Sequence, residues 1–409
     1  MRPFLNNSLH GILFLFLISL IACESQNDAQ IVEGILYSDD KPIRIEIHQG
    51  KINKITRPAS IGENSKMYVA PGLIDIQING FKGVDFSDQE LTPDMMRNAT
   101  EGLWKEGVTT YLPTVITRDH ERLERSFSLL SEVFSDTMIR GSIPGFHLEG
   151  PYISPVKGFR GAHNEKYIRN PDLGELAQLQ EAAGGRIRLI TVAPEIEGAI
   201  PFIEKCNEQG MVISLAHHNA SSEKIEEAVR AGASFSTHLG NGCANEIHRH
   251  NNPLWPQLSN DGLSITIIAD GAHLTRDEVR TFYKVKGPEK TILVSDALAL
   301  AGLPLGEYVV DGDTLLLTED VVKFPAENVL AGAAKPINKC VGVMMRFTDC
   351  SLGEAINMAS TNPARLMNLE DRGEIVTGKR ADLILFSLQN DNIVIEKTLV
   401  AGEVVFTKE

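Results

Sequence analysis

Eight short apolar runs, most of them separated by segments of helical periodicity, dominate the hydrophobic pattern between residues 72 and 294. Such runs are typical of strands buried on both faces of a parallel sheet. They cover residues 72–77, 109–112, 145–148, 188–192, 212–215, 235–237, 265–268 and 292–294. Alternation with helices predicts an α/β fold, and the count of eight favours a closed (β/α)₈ TIM-type barrel over an open sheet.

Local signals place two of the helices between these runs. Thr92 and Pro93 are typical of a helix start, which predicts a helix continuing to Lys105. Residues 219–222 contain the small polar side chains that cap helices, and they predict a helix running through Val229.

Both ends of the chain have strand patterns instead. Residues 31–37, 43–49 and 51–55 precede the barrel, and residues 381–387, 393–396 and 398–407 follow it. We expect the two segments to pair into one small β-sandwich domain formed by residues 24–70 and 366–409. Residues 71–365 would then form the catalytic barrel.

The first 23 residues have the proportions of a signal peptide. Arg2 precedes an apolar stretch at residues 11–22, which is shorter than a comfortable bilayer span. The stretch ends in Leu20-Ile21-Ala22-Cys23, which resembles a bacterial lipobox and predicts a lipid anchor at Cys23. Residues 24–30 would be a tether, and the protein would lie in the cell envelope. The alternatives are a plain signal, an uncleaved anchor, or a cytoplasmic protein if the signal is not functional.

Composition, charge and cysteine spacing argue against several classes of function. The 409 residues are 43% hydrophobic and 23% charged, which is ordinary for a globular protein. A formal charge of −15 without a Lys/Arg-rich run argues against a nucleic-acid partner. The cysteines beyond Cys23 are Cys206, Cys243, Cys340 and Cys350. They lack C-x-x-C spacing, which argues against a thiolate zinc site and leaves their disulfide state open.

Four chemically active side chains each follow a predicted strand. They are Glu149, His217, His238 and Asp296. Because the strand ends of a barrel meet at one rim, these residues should converge. One glutamate and two histidines form a ligand set suited to one divalent ion, best matched by Zn²⁺ and also acceptable to iron, manganese or cobalt. Asp296 would accept a proton from an activated water and return it to the leaving amine, and His273 would polarise the carbonyl.

Each of these residues also has a simpler interpretation when taken alone. Glu149 would serve as a buried ion-pair partner, and Asp296 as a helix N-cap. Their joint position on one rim favours the catalytic interpretation. His218 stays ambiguous. His248 and His250 have the spacing of a metal tract, although we favour a substrate loop.

Over roughly residues 31–409, the motifs resemble those of the N-acetylglucosamine-6-phosphate deacetylases of the amidohydrolase superfamily. The motifs that carry the resemblance are Ala70-Pro71-Gly72-Leu73-Ile74-Asp75, His147-Leu148-Glu149-Gly150-Pro151, Ala193-Pro194-Glu195, His217 with Asn219-Ala220, Thr237-His238-Leu239 with Asn241, Ile268-Ala269-Asp270-Gly271 with His273, Ser295-Asp296-Ala297, Asn362-Pro363-Ala364-Arg365, and Gly378-Lys379-Arg380-Ala381-Asp382-Leu383.

The resemblance implies that Glu149, His217 and His238 bind the metal, with Asp296 as acid/base and His273 on the acetamide. It also implies that His163 and Asn241 contact the sugar, and it suggests a homodimer. Many amidohydrolases carry His-x-His for a second metal where this chain has Gln77-Ile78-Asn79. Amides are poor zinc ligands, so we expect a mononuclear site in which Gln77 and Asn79 contact the substrate.

The expected reaction is deacetylation of an N-acetylated amino sugar, with N-acetylglucosamine 6-phosphate as the family default. The resemblance suggests that Arg249 is the counterpart of the family's phosphate-binding arginine, although the residues after it differ, and the alternative is an ordinary exposed loop arginine. Because of that difference and the predicted signal peptide, an unphosphorylated N-acetylhexosamine stays open as an alternative substrate. An N-acyl-amino acid is a further alternative, which the loops at residues 152–164 and 242–256 would decide. A saccharide-binding lipoprotein without turnover is the third, and the complete set of ligands weighs against it.

Overall fold

The computed structural model describes residues 30–62, 66–310, 313–325 and 329–409. The predicted signal peptide, the lipid anchor at Cys23 and nearly all of the tether lie outside these residues. Within the described part of the chain, no helix combines the length and apolarity needed to cross a bilayer.

The strands, numbered in chain order, are β1 Gln30–Leu36, β2 Pro42–His48, β3 Lys51–Thr56, β4 Tyr68–Pro71, β5 Leu73–Ile78, β6 Gly80–Phe81, β7 Val84–Asp85, β8 Val108–Ile116, β9 Phe146–Glu149, β10 Ile187–Val192, β11 Val212–Leu215, β12 Ala233–Ser236, β13 Ser264–Ile267, β14 Thr291–Leu293, β15 Gly306–Val310, β16 Asp313–Leu317, β17 Val321–Phe324, β18 Val329–Ala333, β19 Leu383–Gln389, β20 Asn392–Val400 and β21 Glu403–Thr407.

The helices are α1 Pro93–Lys105, α2 His120–Glu132, α3 Leu173–Ala182, α4 Ala199–Glu208, α5 Ser222–Ala231, α6 Leu254–Ser259, α7 Arg276–Lys290, α8 Ile337–Thr348, α9 Leu352–Met358 and α10 Thr361–Leu366.

A parallel eight-stranded barrel forms the centre of the molecule, in the order β5-β8-β9-β10-β11-β12-β13-β14. It closes where the backbone N–H of Asp296 donates to the Gln77 carbonyl over 3.0 Å, just beyond the end of β14. Apolar side chains from several strands, including Ile74, Leu189 and Phe235, pack together in its interior. The eight predicted strands are confirmed, with ends that shift by a few residues.

Helix-start signals in the sequence are also confirmed. The Thr92 hydroxyl accepts the backbone N–H of Met95 at the start of α1, and Pro93 occupies the first turn. Ser221 caps α5 in the same manner. These caps supply partners for N–H groups that have no acceptor within the helix.

The two terminal segments form one seven-stranded sheet in the order β21-β20-β19-β4-β1-β2-β3. The sheet folds back on itself, because the N–H of Ala381 donates to the Gly50 carbonyl over 2.9 Å at the turn between β2 and β3. Ile45 and Ile52 therefore share one apolar cluster with Leu383 and other residues of the C-terminal half. The predicted association of the two termini is confirmed, whereas the exact domain boundaries stay predictions.

The prediction placed the break between the last two strands of the chain at the wrong position. The predicted break between residues 393–396 and 398–407 does not exist, because β20 runs through Lys397. A bulge opposite Leu385 and Phe386 accommodates the extra residue there. The chain turns instead at Ala401 and Gly402, which both have positive φ.

A further, unpredicted four-stranded sheet lies between β14 and α8. It is antiparallel, in the order β15-β16-β17-β18, and it returns the chain to the barrel rim. At that point the N–H of Leu298 donates to the Ala333 carbonyl over 3.1 Å. The insertion therefore ends within a few ångströms of the segment that carries Asp296.

Candidate metal and catalytic site

Three buried side chains converge at the carboxyl-terminal rim of the barrel. Glu149 ends β9, while His217 and His238 each lie two residues beyond β11 and β12. One oxygen or nitrogen atom from each of the three lies within 4.8 Å of the other two. All three residues are at most 6% exposed, so a bound cation would be largely shielded from solvent.

This geometry fits a small divalent cation. Oε1 of Glu149 lies 3.0 Å from Nε2 of His238 and 3.5 Å from Nε2 of His217. A tetrahedral ion with bonds of about 2.0–2.1 Å holds its ligand atoms about 3.3 Å apart. Nδ1 of His217 donates to the Phe159 carbonyl over 3.1 Å, which leaves Nε2 free to ligate.

The backbone turns sharply at three of the site residues. His217, His238 and Asp296 have φ values of 51°, 32° and 50°, in a region that non-glycine residues rarely occupy. Such conformations cost of order 1–3 kcal/mol each and persist where the surroundings over-determine them. Here Ser154 donates its N–H to the His217 carbonyl, and Asn241 donates to the His238 carbonyl, each over 2.9 Å.

Asp296 lies beside the cluster and is held by two amides. Nδ2 of Asn79 donates to its Oδ1 over 2.6 Å, and Nε2 of Gln77 donates to the same oxygen over 3.3 Å. Gln77 also donates to Oε1 of Glu149 over 2.9 Å, so one amide links the ligand carboxylate to Asp296. Gln77 and Asn79 therefore contact protein carboxylates, and their predicted contact with substrate stays a prediction.

The two carboxyl groups of the site have pKa values shifted in opposite directions. Burial, together with the nearby charge of Glu149, raises the pKa of Asp296 to about 6. Burial acts in the same direction on Glu149, but hydrogen bonds with His217 and His238 hold its pKa well below the usual value. Glu149 is therefore the permanent anion of the site, and Asp296 is the carboxylate able to gain a proton.

His273 follows β13 at the same rim and is close enough to influence Asp296 electrostatically. Its Nδ1 lies 2.7 Å from Oδ2 of Asp270, and its side chain is 10% exposed. The sequence prediction placed His273 at the site but assigned no function to Asp270.

The predicted sugar-contacting residues occupy different environments. The ring of His163 lies 4.4 Å from that of His217, and its Nδ1 is 2.7 Å from the Thr117 hydroxyl. Burial and the neighbouring His217 lower the pKa of His163 to about 3, which keeps its ring neutral. Nδ2 of Asn241 is buried without a hydrogen-bond partner among the described residues. Arg249 is exposed on its loop, where its carbonyl accepts Nε1 of Trp255.

The structure gives different environments to His218 and to the loop that contains His248 and His250. His218 is buried, and its Nδ1 accepts the N–H of Ala220, which is a structural arrangement next to the ligand His217. His248 is exposed, and its Nδ1 accepts the backbone N–H groups of His250 and Asn251. Its loop is therefore organised by local hydrogen bonds.

Three supporting residues carried no assigned function in the sequence prediction. Oδ1 of buried Asp75 accepts the N–H of Ser295, and Oε1 of Glu195 accepts the N–H of Asn219 over 2.6 Å. Thr117 contacts His163 as described above. Asp75 and Glu195 belong to the motifs that carry the resemblance, but only the folded chain reveals their partners.

Within the described part of the chain, the ligand cluster of Glu149, His217 and His238 includes no cysteine. Cys206, Cys340 and Cys350 are buried, Cys243 is partly buried, and all four are free thiols. Burial raises the pKa of Cys206 to about 12, so this thiol stays protonated.

Comparisons with known proteins agree with this architecture. Residues 68–405 match the amidohydrolase family. The N-acetylglucosamine-6-phosphate deacetylase of Bacillus subtilis (strain 168) is 30% identical over 374 residues, which cover 88% of this chain and 92% of the relative. An N-acetylgalactosamine-6-phosphate deacetylase of Escherichia coli O157:H7 is 29% identical over 348 residues, with 85% and 90% coverage.

A solved structure has the same arrangement. It is a variant of the Mycobacterium smegmatis N-acetyl-D-glucosamine-6-phosphate deacetylase in complex with N-acetyl-D-glucosamine-6-phosphate. It superimposes with a TM-score of 0.83 at 26% identity and covers 93% of this chain and 100% of that chain. The chain belongs to the N-acetylglucosamine-6-phosphate deacetylases of the amidohydrolase family.

Proposed function

We propose that this protein hydrolyses the acetamide of an N-acetylated hexosamine 6-phosphate, with N-acetylglucosamine 6-phosphate as the first candidate. The products are acetate and the free amino sugar phosphate. The observation that supports this most directly is the buried Glu149, His217 and His238 cluster beside an Asp296 of raised pKa. Curated relatives named for both the glucosamine and galactosamine epimers support the 6-phosphate class.

Glu149, His217 and His238 would hold one divalent ion, for which we propose Zn²⁺. When bound, such an ion acts as a Lewis acid and lowers the pKa of water at the site. The amides of Gln77 and Asn79 occupy the rim beside it, and amides are poor ligands for a second zinc. These features support a mononuclear centre.

Asp296 is the proposed proton carrier of the reaction. Its Oδ1 is bound by Asn79 and Gln77, which orients the carboxylate beside the ligand cluster. It takes a proton from the attacking water and delivers it to the departing amine nitrogen. Its pKa of about 6 suits both transfers near neutral pH, because neither protonation state is strongly disfavoured.

Recognition of the substrate is assigned to three further residues. His163, whose ring packs against that of His217, and the unpartnered amide of Asn241 would bind sugar hydroxyls. Arg249 would bind the phosphate, because a guanidinium forms bidentate hydrogen bonds with phosphate oxygens. Its exposed position is compatible with contact across the homodimer that the resemblance suggests.

The test is acetate release by the zinc-loaded protein without residues 1–23. The 6-phosphates of N-acetylglucosamine and N-acetylgalactosamine are assayed beside free N-acetylglucosamine and an N-acetyl amino acid. We expect preference for a 6-phosphate, loss of turnover in Asp296→Asn, and a higher KM for phosphorylated substrate alone in Arg249→Ala. Arg276→Ala, which changes an exposed arginine at the start of α7, is the matched control. Turnover of free N-acetylglucosamine alone would contradict the phosphate assignment.

The predicted signal peptide supports a second candidate substrate. If Cys23 carries a lipid, the enzyme works in the cell envelope, where unphosphorylated N-acetylhexosamines of wall fragments are available. We therefore propose envelope localisation through Cys23, to be tested by membrane fractionation of the full chain and of Cys23→Ser. Release of the variant from the membrane fraction supports the anchor, and a soluble wild-type protein contradicts it.

A further inference from the structure

The loops that follow β9, β10 and β11 are joined to one another by a closed ring of three hydrogen bonds. In the first, the N–H of Ala193 donates to the Tyr152 carbonyl over 2.9 Å and joins the β10 loop to the β9 loop. In the second, the N–H of Asn219 donates to Oε1 of Glu195 over 2.6 Å and joins the β11 loop to the β10 loop. The β10 loop is therefore connected to both of its neighbours.

The third bond of the ring ends on His217, one of the three residues of the ligand cluster. The N–H of Ser154, in the β9 loop, donates to the His217 carbonyl over 2.9 Å. His217 has a φ of 51°, a conformation that persists only where the surrounding structure holds it. Asn219 follows two residues later, so the second and third bonds restrain the strained residue from both sides. The direction of the His217 ring depends on this backbone conformation.

Only one of the six bonded groups in the ring belongs to a side chain, and it is the carboxyl group of Glu195. The other two bonds join backbone groups. Glu195 follows Pro194, whose ring fixes φ and limits the freedom of the turn. The Ser154 side chain lies beside the same carboxyl group, so Glu195 contacts both neighbouring loops. An ionised and a protonated carboxyl group both accept an N–H, so this contact does not depend on the charge of Glu195.

We propose that Glu195 is a positioning residue, which closes the ring of loops and thereby holds Nε2 of His217 where it can bind the metal. Glu195 lies outside the ligand cluster itself, which consists of Glu149, His217 and His238. Because Asn219 is exposed, its N–H bonds to water when Glu195 is removed and no longer connects the two loops. His217 is then restrained on one side only. The inference rests on the proposed function for the identity of the metal, whereas the ring of hydrogen bonds is independent of it.

The first test measures the Asn219 hydrogen bond in the wild-type protein. Amide hydrogen exchange is followed by NMR on ¹⁵N-labelled full-length protein, with and without zinc. We expect the Asn219 amide to exchange at least about tenfold more slowly than an unstructured amide, although the residue is exposed, because its N–H is bound to Glu195. Exchange at the unstructured rate in the folded protein would overturn the proposal without any variant having to fold.

The second test compares zinc affinities by competition with a chromophoric chelator. We expect Glu195→Ala to bind zinc about 10- to 100-fold more weakly, as is usual when a residue that orients a metal ligand is lost. Glu195→Gln keeps an oxygen that accepts the Asn219 N–H, so it should restore most of the affinity. Glu197→Ala, which removes an exposed glutamate from the same loop, is the matched control and should bind zinc as the wild type does. Equal affinities in folded Glu195→Ala and Glu197→Ala, or an equal loss in Glu195→Gln and Glu195→Ala, would overturn the proposal.

The absorption spectrum of the Co²⁺-loaded protein separates positioning from a merely structural role. A loss of global stability leaves the metal coordination of the folded molecules unchanged, whereas a displaced histidine alters the number or geometry of the ligands. We expect the d–d bands to change in Glu195→Ala, with thermal unfolding of the same samples showing that the protein is folded. Bands identical to those of the wild type would contradict the positioning role. If the wild type releases no acetate, the proposed function fails, whereas hydrogen exchange and zinc affinity still decide the role of Glu195.

Discussion

Asn79 provides the shorter of the two hydrogen bonds that hold Asp296, at 2.6 Å against 3.3 Å for Gln77. Replacing Asn79 by alanine removes it and leaves Oδ1 with the longer bond. A hydrogen bond to a charged group contributes about 1.5–3 kcal/mol. If that energy orients the base in the transition state, kcat falls by roughly 10- to 150-fold at about 1.4 kcal/mol per decade.

The same substitution should move the acidic limb of the pH profile. The Asn79 hydrogen bond stabilises the ionised carboxylate and lowers the pKa of Asp296, opposing the increase caused by burial and by Glu149. Without the bond the pKa rises further, so a larger fraction of Asp296 is protonated at a given pH. Because the base must be ionised to accept a proton, the acidic limb moves to higher pH.

The assay is kcat against pH for zinc-loaded Asn79→Ala, with zinc content and thermal unfolding measured on the same samples. Asn98→Ala, at an exposed position in α1, is the control for loss of an asparagine side chain. A variant that keeps full zinc and a rate within about twofold of wild type, with an unmoved acidic limb, would refute the positioning argument.

Three further predictions concern the metal, the backbone and pH. Glu149→Gln should lower zinc content at equal protein concentration, because the site loses its only anionic ligand; retention of one zinc per chain would contradict the ligand assignment. Gly150→Ala should destabilise the fold by about 2–4 kcal/mol, since φ is +71° and a Cβ would lie 2.1 Å from the Thr117 hydroxyl. Gly185→Ala, with φ of +74° and open space, should cost only about 1–2 kcal/mol in the same denaturant titration, and equal losses would refute the steric argument. Burial raises the pKa of Asp75 to about 7, so its contribution to stability is present at low pH and lost as pH rises from about 4 to about 7. Asp75→Asn should therefore compare more favourably with wild type at pH 8 than at pH 5 in thermal unfolding, and a constant difference would contradict the raised pKa.

The barrel could be predicted from the sequence because the signals for its strands and helices are local sequence patterns. Each barrel strand is a short apolar run, and segments of helical periodicity follow most of them, as with the helix that starts at Thr92. The position of Glu149, His217 and His238 after such runs then placed them on one rim, since parallel strands in a barrel all end at the same face. The apolar runs, their alternation with helical segments and the barrel topology together carried that inference.

Irregular features of the fold were harder to predict from the sequence. The bulge opposite Leu385 allows β20 to continue through Lys397. No local sequence pattern predicted this bulge. The sheet of β15–β18 also escaped prediction, because its strands are short and several of their apolar residues, such as Val309, face solvent.

By itself, therefore, the sequence determined the barrel, the rim and the types of side chain placed there. Only the tertiary structure decided which of these side chains bind each other. Gln77 and Glu149 are 72 residues apart, and Asn79 and Asp296 are 217 apart, yet each pair forms a hydrogen bond. Such bonds depend on atomic positions to within a few tenths of an ångström, and those positions are set by barrel closure and packing rather than by local periodicity.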